Sequence, residues 1–256
     1  MGRDNTWEKD YTVLTSMCDF SGKLGIRNTF DIFMDMAAEH AAHLGVSYYD
    51  MRERDCYWVA VRSRVMLYAA RPRLGERITA VTWPGKPSLA KSDRFYRLRR
   101  GEVILVEGRT EWAVQDIHTG AIRRTDSYGY PTDLKHREDR VCEAPFTRFR
   151  SLAPSPAQSF MKYRVRSTDI DVSRHMNNVA YIRMLLDTFS TSEQEETDPV
   201  EVEISYRQSC YEGEELSIYR CREENGWIFQ VEKENAEIAV HARILLPVNS
   251  RAADPG

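Results

Sequence analysis

The chain has 256 residues, 42% of them hydrophobic and 29% charged, with a formal net charge of −3 at pH 7. That balance suits a water-exposed folded protein of one large domain or two smaller ones, and gives no global attraction to nucleic acid or an anionic membrane. No apolar run reaches bilayer-spanning length, and the N-terminus is too polar for a secretory signal.

Five scattered cysteines without a C-x-x-C pair argue against a disulfide scaffold or a zinc site and fit a reducing cytoplasm. Gly2 and Thr6 match an N-myristoylation pattern that is too short to carry weight.

In chain order, Tyr11 to Met17 alternates weakly and predicts a strand, with Asp19 and Gly22 in the turn that follows. Phe30, Phe33, Met34, Ala37, Ala38, Ala41 and Leu44 recur at spacings of three and four. This predicts a helix over 30–44 with one face to be covered, N-capped by Asn28 or Thr29. Four β-rich stretches follow: Trp58 to Tyr68, then past a Gly75-Glu76 turn Ile78 to Trp83, Ser92 to Arg99 and Val103 to Gln115. Residues 128–159 carry Pro131, Pro145, Pro154 and Pro156 among charged and small polar residues, which is linker composition.

The same grammar then returns. Tyr163 to Ser167 predicts a strand, Asp169 and Asp171 a turn, and Asn178 the cap of a helix over 178–189 whose apolar side is Val179, Ile182, Leu185 and Leu186. Strands are expected at Val200 to Tyr206, Leu216 to Glu223, Trp227 to Lys233 and Ile238 to Pro247, with a turn at Gly213-Glu214. Asp19 corresponds to Asp171 and Tyr11 to Tyr163. The expected fold class is therefore α+β, with two tandem units, each a long helix wrapped by a curved antiparallel sheet. The units are expected at 1–130 and 160–256, joined by a linker over 131–159. Two unrelated α+β domains are the alternative.

The richest chemistry lies between strand and helix of the second copy. Asp171, Ser173, His175, Asn177 and Asn178 crowd one turn, more polar groups than turn geometry requires. Backbone N–H groups at a helix start can polarise a carbonyl or stabilise an oxyanion. A carboxylate such as Asp171 can act as general base or nucleophile, and His175 can orient groups or move protons near neutral pH. The bland readings are a turn carboxylate, a packed histidine, and two asparagines that cap the helix and pin the loop. His40 and His43 of the first helix read as satisfied side chains. Only the second copy carries the His and Asn-Asn cluster, so one site per chain is expected.

The run Asp171-x-Ser-x-His175-x-Asn-Asn-x-x-Tyr181 resembles the D-x-N-x-H-x-N-N-x-x-Y motif of plant and bacterial acyl-acyl-carrier-protein thioesterases. The resemblance spans nearly the whole chain: Trp58-Val to Tyr68, Leu74-Gly-Glu, Thr82-Trp-Pro84 and Glu111-Trp-Ala-Val114 resemble the family's N-terminal half. Tyr206-Arg-Gln-Ser-Cys210 resembles a Y-R-x-E-C segment of its C-terminal half. It implies two fused hotdog units and hydrolysis of a fatty acyl thioester on acyl carrier protein. Asp171 and His175 carry over as catalytic residues; Asn177, Asn178, Ser173 and Ser209 fall in supporting or positioning places. Two departures stand out: Ser173 replaces the family's catalytic Asn and Ser209 its Glu, so Asp171 alone is left to activate water. Cys210 matches a cysteine proposed as nucleophile in the family, although a strand cysteine is more often buried and inert.

The resemblance further implies an acidic helical carrier protein as partner, docked on arginines such as Arg62, Arg64, Arg94, Arg97, Arg99, Arg100, Arg174 and Arg183. The acyl chain needs an apolar tunnel, for which the first helix with Trp83, Phe95 and Trp112 is the expected lining. No metal or organic cofactor is implied, and neither a nucleic-acid partner nor a membrane span. A homodimer is left open. The rival readings are an acyl-coenzyme A thioesterase, a non-catalytic acyl-binding hotdog protein and, less favoured, a dehydratase of the same fold.

Overall fold

The computed structural model describes residues 5–68, 70–152, 159–196 and 198–247. Gly2 of the lipid-attachment pattern and residues 153–158 of the expected linker lie outside them. The chain divides into two units, 1–146 and 147–256. The first contains β1 (Trp7–Thr12), α1 (Ile26–His43), a short α2 (Tyr48–Arg52), β2 (Cys56–Leu67), β3 (Arg77–Pro84), β4 (Ser92–Arg100) and β5 (Val103–Asp116). The second contains β6 (Ser159–Arg164), α3 (Asn178–Leu186), a short α4 (Thr191–Glu196), β7 (Glu201–Tyr206), β8 (Glu215–Glu223), β9 (Gly226–Lys233) and β10 (Ile238–Leu245).

Strand order is β1-β3-β4-β5-β2 in the first unit and β6-β8-β9-β10-β7 in the second, antiparallel throughout. Taken strand for strand these are one topology, used twice.

The strands opening each copy start and stop earlier than alternation suggests. After β1, Val13 donates its N–H to Glu76 O (2.9 Å) and accepts from Gly75 N–H (2.8 Å). After β6, Val165 makes the same pair of bonds with Glu214 O and Gly213 N–H, both 2.9 Å. Each valine ends its ladder by bonding to a glycine turn, and Thr15–Met17 and Ser167–Asp169 then wind as 3₁₀ turns.

Helix α1 starts at Gly25 rather than at Asn28 or Thr29. Thr29 lies inside the first turn, its hydroxyl donating to Gly25 O at 3.1 Å. A Cβ at position 25 would fall 2.6 Å from Asn28 Oδ1, so glycine suits the place. The buried face carries Ile26, Phe30, Phe33, Met36, Ala37 and His40. Phe33 stacks on Tyr96 of β4 at 4.6 Å and occupies the space a side chain at Gly108 of β5 would need.

Strand side chains alternate between faces. Tyr96 faces α1, so Phe95 and its register partner Trp83 face the other way. There they pack with Val81 and are covered by Val141 and Cys142, while Trp83 Nε1 donates to Asp139 O at 2.8 Å. The first half of the segment with linker composition thus forms part of unit 1. Leu134 joins a cluster with Leu44, Met51, Cys56 and Val114, and Arg64 is tied to Ala144 O and Pro145 O. Trp83 and Phe95 therefore cannot line a tunnel beside α1, whereas Trp112, level with Ser92 on the helix side, can.

Candidate active site

The β6–α3 loop is built by backbone hydrogen bonds. Asp171 N–H donates to His175 O (3.0 Å), Arg174 N–H to Asp171 O (3.0 Å) and Asn177 N–H to Asp169 O (2.8 Å). Asp19 with Lys23 (2.9 Å), Gly22 with Asp19 (3.0 Å) and Gly25 with Met17 (2.9 Å) repeat the pattern in unit 1. The two loops share this hydrogen-bond pattern residue for residue at a shift of 152. Gly22 has φ 70°, and Arg174 at the matching place holds φ 62°, a left-handed conformation that disfavours a side chain.

Against this shared backbone the side chains diverge. In both loops the first Oδ1 accepts from a serine N–H: Asp19 from Ser21 at 2.9 Å and Asp171 from Ser173 at 2.8 Å. Asp19 is further engaged by the Ser21 hydroxyl and ion-paired with Arg71. Among the described residues no cation pairs with Asp171, so its second oxygen is available. Where unit 1 has Lys23, Gly25 and Ile26, unit 2 has His175, Asn177 and Asn178.

Asn177, not Asn178, caps α3: its Oδ1 accepts from Val179 N–H at 2.7 Å. Asn178 becomes the first helical residue, and its carbonyl accepts from the Tyr206 hydroxyl at 3.2 Å. Its N–H opens the helix with no acceptor among the described residues. That is a donor of the kind that stabilises an oxyanion. The His175 ring lies 5.2 Å from that of Tyr211, inclined at 60°.

The anchor beneath this loop is Asp169, which the motif reading left as a turn residue. Its side chain is 0% exposed; it accepts from the Tyr163 hydroxyl (2.6 Å) and Arg166 N–H (2.8 Å), and pairs with Arg183. Burial alone would raise its pKa, but those hydrogen bonds and the Arg183 charge hold it below the usual carboxylate range. The clue in the sequence was an arginine on an otherwise apolar helix.

The segment after β7 meets the loop through Met176 N–H, which donates to Cys210 O at 2.8 Å. Cys210 is fully buried, and burial pushes its thiol pKa up, which suits a packed side chain rather than a nucleophile. Ser209 is exposed, and its carbonyl accepts from Lys233 Nζ at 3.1 Å. Lys233 also pairs with Glu214 at 2.9 Å, bringing to this side of the loop a cation that sequence reasoning did not single out.

The expected docking arginines are mostly committed elsewhere. Arg62 binds Glu111, Arg97 Glu107, Arg99 Glu8, Arg100 Glu76 and Arg183 Asp169, while Arg64 and Arg94 are buried. Arg62 and Arg97 face their carboxylates as register partners on adjacent strands, so there strand pairing itself consumes the charge. Arg174 stays exposed on the loop. In its place unit 2 offers a cleft of about 350 Å³ beside the loop, lined by Lys162, Tyr163, Arg164, Val165, Arg166, Glu212 and Gly213.

A helix laid on a five-stranded antiparallel sheet, twice in one chain, defines a double-hotdog protein. Family models fit both parts: the acyl-ACP (acyl carrier protein) thioesterase N-terminal domain over residues 4–125 and its C-terminal domain over 153–245. The chain belongs to the acyl-ACP thioesterase family. It is 25% identical over 167 residues to a chloroplastic palmitoyl-acyl carrier protein thioesterase of Cuphea hookeriana, covering 63% of this chain and 40% of that one. It is 24% identical over 201 residues to a chloroplastic acyl-[acyl-carrier-protein] hydrolase of Cuphea viscosissima, covering 72% and 47%. It thus spans less than half the length of both relatives. An acyl-ACP thioesterase from Bacteroides thetaiotaomicron shares the fold at TM-score 0.84 and 21% identity, over 94% of this chain and 97% of that one. The 12:0-ACP thioesterase of Umbellularia californica does so at 0.80 and 16%, over 94% and 96%.

Proposed function

We propose that the chain hydrolyses a fatty acyl thioester of acyl carrier protein, releasing the fatty acid and the carrier thiol. The observation that carries the reading is the contrast between the two matching loops: Asp19 is ion-paired to Arg71, whereas Asp171 has no cation partner among the described residues and precedes a helix start. Asp171 takes a proton from water as the water oxygen attacks the thioester carbonyl. The Asn178 N–H receives the developing oxyanion. The carbon–sulfur bond then breaks, and the proton returns to the leaving thiolate. Ser173 fixes the carboxylate through its N–H, Asn177 holds the helix start, and His175 stands across the turn to orient the substrate.

The basic cleft supports a carrier that is acidic and phosphate-bearing. Among its cations, Lys162 faces Glu215 at 3.2 Å, while Arg164 is exposed beside the loop. Coenzyme A also carries phosphates, so the test compares one acyl group on both carriers. Hydrolysis is expected to be faster on the carrier protein. That advantage should shrink with added salt, because exposed charges are screened over roughly 8–10 Å at 0.10–0.15 M ionic strength. A preference for coenzyme A at every salt concentration would transfer the reading to an acyl-coenzyme A thioesterase. Absence of turnover on either thioester would leave a non-catalytic acyl-binding protein.

A further inference from the structure

Among its described residues, unit 1 buries a cation without a carboxylate partner. Ser92, Arg94 and Tyr96 alternate onto the face of β4 turned to α1, level with Trp112, Thr110 and Gly108 of β5. Arg94 is 8% exposed, donates to Nδ1 of His40 on α1 at 3.0 Å, and lies 3.4 Å from the Thr82 hydroxyl. No carboxylate among the described residues pairs with it. By contrast, Arg62, Arg97, Arg99, Arg100 and Arg109 of the same sheet each pair with one.

Around Arg94, Nε2 of His40 is buried without a hydrogen-bond partner among the described residues, while the Tyr96 hydroxyl lies against Thr110 and Trp112 and the Tyr130 hydroxyl against Ser92. Both tyrosines are near enough to Arg94 to act on its charge. Since Arg94 donates to Nδ1, neutral His40 carries its proton on Nε2. Nε2 is thus a buried donor for which no described residue supplies an acceptor. Native cores rarely leave donors in this condition, and an unpaired buried guanidinium is strongly unfavourable.

We propose that unit 1 receives, between α1 and its sheet, the far end of an acyl chain that bears an acceptor oxygen, a carboxylate above all. Arg94 binds it, together with Tyr96, Tyr130, Trp112 and His40. A hydroxyl or keto oxygen would satisfy the donors but not the charge, and a terminal methyl would satisfy neither. The proposal names a substrate class for the thioesterase reading and rests on that reading.

The test uses the full chain and acyl-carrier-protein thioesters whose far end is methyl, hydroxyl or carboxylate, over a series of even chain lengths. The wild type is compared with Arg94→Met, a replacement of similar length that can be neutral or stabilising at a buried charge, with melting as the folding control. At the best chain length, the carboxylate-to-methyl ratio of kcat/KM should fall roughly tenfold or more in Arg94→Met, and by a smaller factor in Tyr96→Phe. A ratio within about twofold of wild type at every length, less than one hydrogen bond to a charged group is worth, overturns the proposal. If the wild type hydrolyses none of these thioesters, the thioesterase reading is what fails. A binding arm then decides the site: suberate should raise the melting temperature of the wild type and leave Arg94→Met unmoved, and equal responses overturn it.

Discussion

Asp171 and Asp19 occupy one backbone turn and differ in what surrounds them, so residue type alone could not rank them. The Asp-x-Ser spacing occurs in both loops, since Ser21 and Ser173 serve the same bond. What set Asp171 apart in the sequence was the His and Asn-Asn run behind it; what sets it apart in space is that no arginine among the described residues pairs with it. Asp171→Asn keeps size and turn geometry and removes the base. Turnover is expected to drop by roughly 10²-fold or more, with the melting temperature close to wild type. Ser209→Ala should leave turnover little changed, because the Ser209 hydroxyl cannot act as a base at pH 7, and its contact with Lys233 runs through the backbone carbonyl. Near wild-type turnover in Asp171→Asn would reduce Asp171 to a turn residue. Asn177 and Asn178 were legible as cap and pin, but the cap was expected at Asn178 and falls on Asn177. A one-residue shift of the helix start decides it, and both asparagines satisfy the same pattern.

The elements themselves were mostly readable, because alternation and three-four spacing report burial directly. Where boundaries slipped, hydrogen bonds distant in sequence were responsible, such as Val13 bonding to the Gly75-Glu76 turn. The Trp83 and Phe95 face was misassigned because alternation marks two faces without saying which one meets the helix. Nor did composition reveal that residues 134–146 lie on unit 1, since a covering segment needs only a few apolar anchors. The joint between β6 and α3 depends on Asp169, which ties Tyr163 of β6, the Arg166 N–H and Arg183 of α3 into one network. Asp169→Asn should destabilise the chain by about 2–3 kcal/mol, below the usual figure for a broken buried pair because Arg183 is partly exposed. Removing the orphaned charge as well, in Asp169→Asn with Arg183→Gln, should restore part of that loss. Denaturant melts of both variants check it, and an Asp169→Asn chain as stable as wild type would show the network to be dispensable.

At the scale of the whole chain, the repeat was the most legible feature, because both copies solve one burial problem with one topology. Each unit also buries a histidine, at places the repeat does not relate: His40 on α1 and His241 on β10. His40 in unit 1 is held neutral by burial first and by the Arg94 charge second, its pKa pushed down to about 3 from an ordinary 6.5. His241 in unit 2 is lowered by burial and by Arg207. A histidine whose pKa is depressed by folding takes up its proton more readily when unfolded. Stability is therefore intact above pH 6.5 and lost as pH falls below it, by up to ~1.4 kcal/mol per pH unit for each such group until the folded pKa is reached. The depressed carboxylates Asp19, Asp169 and Glu111 act in the same direction, but only as pH nears the ordinary carboxylate range. Between pH 6.5 and 5 the histidines therefore dominate. Melting temperature should be flat from pH 8 to 7 and decline clearly by pH 5. His40→Gln should lessen the decline, and the double variant with His241→Gln should nearly abolish it. A wild-type chain equally stable at pH 5 and pH 7.5 would mean that the two imidazoles reach solvent, and would remove the neutral His40 on which the Arg94 hydrogen bond depends.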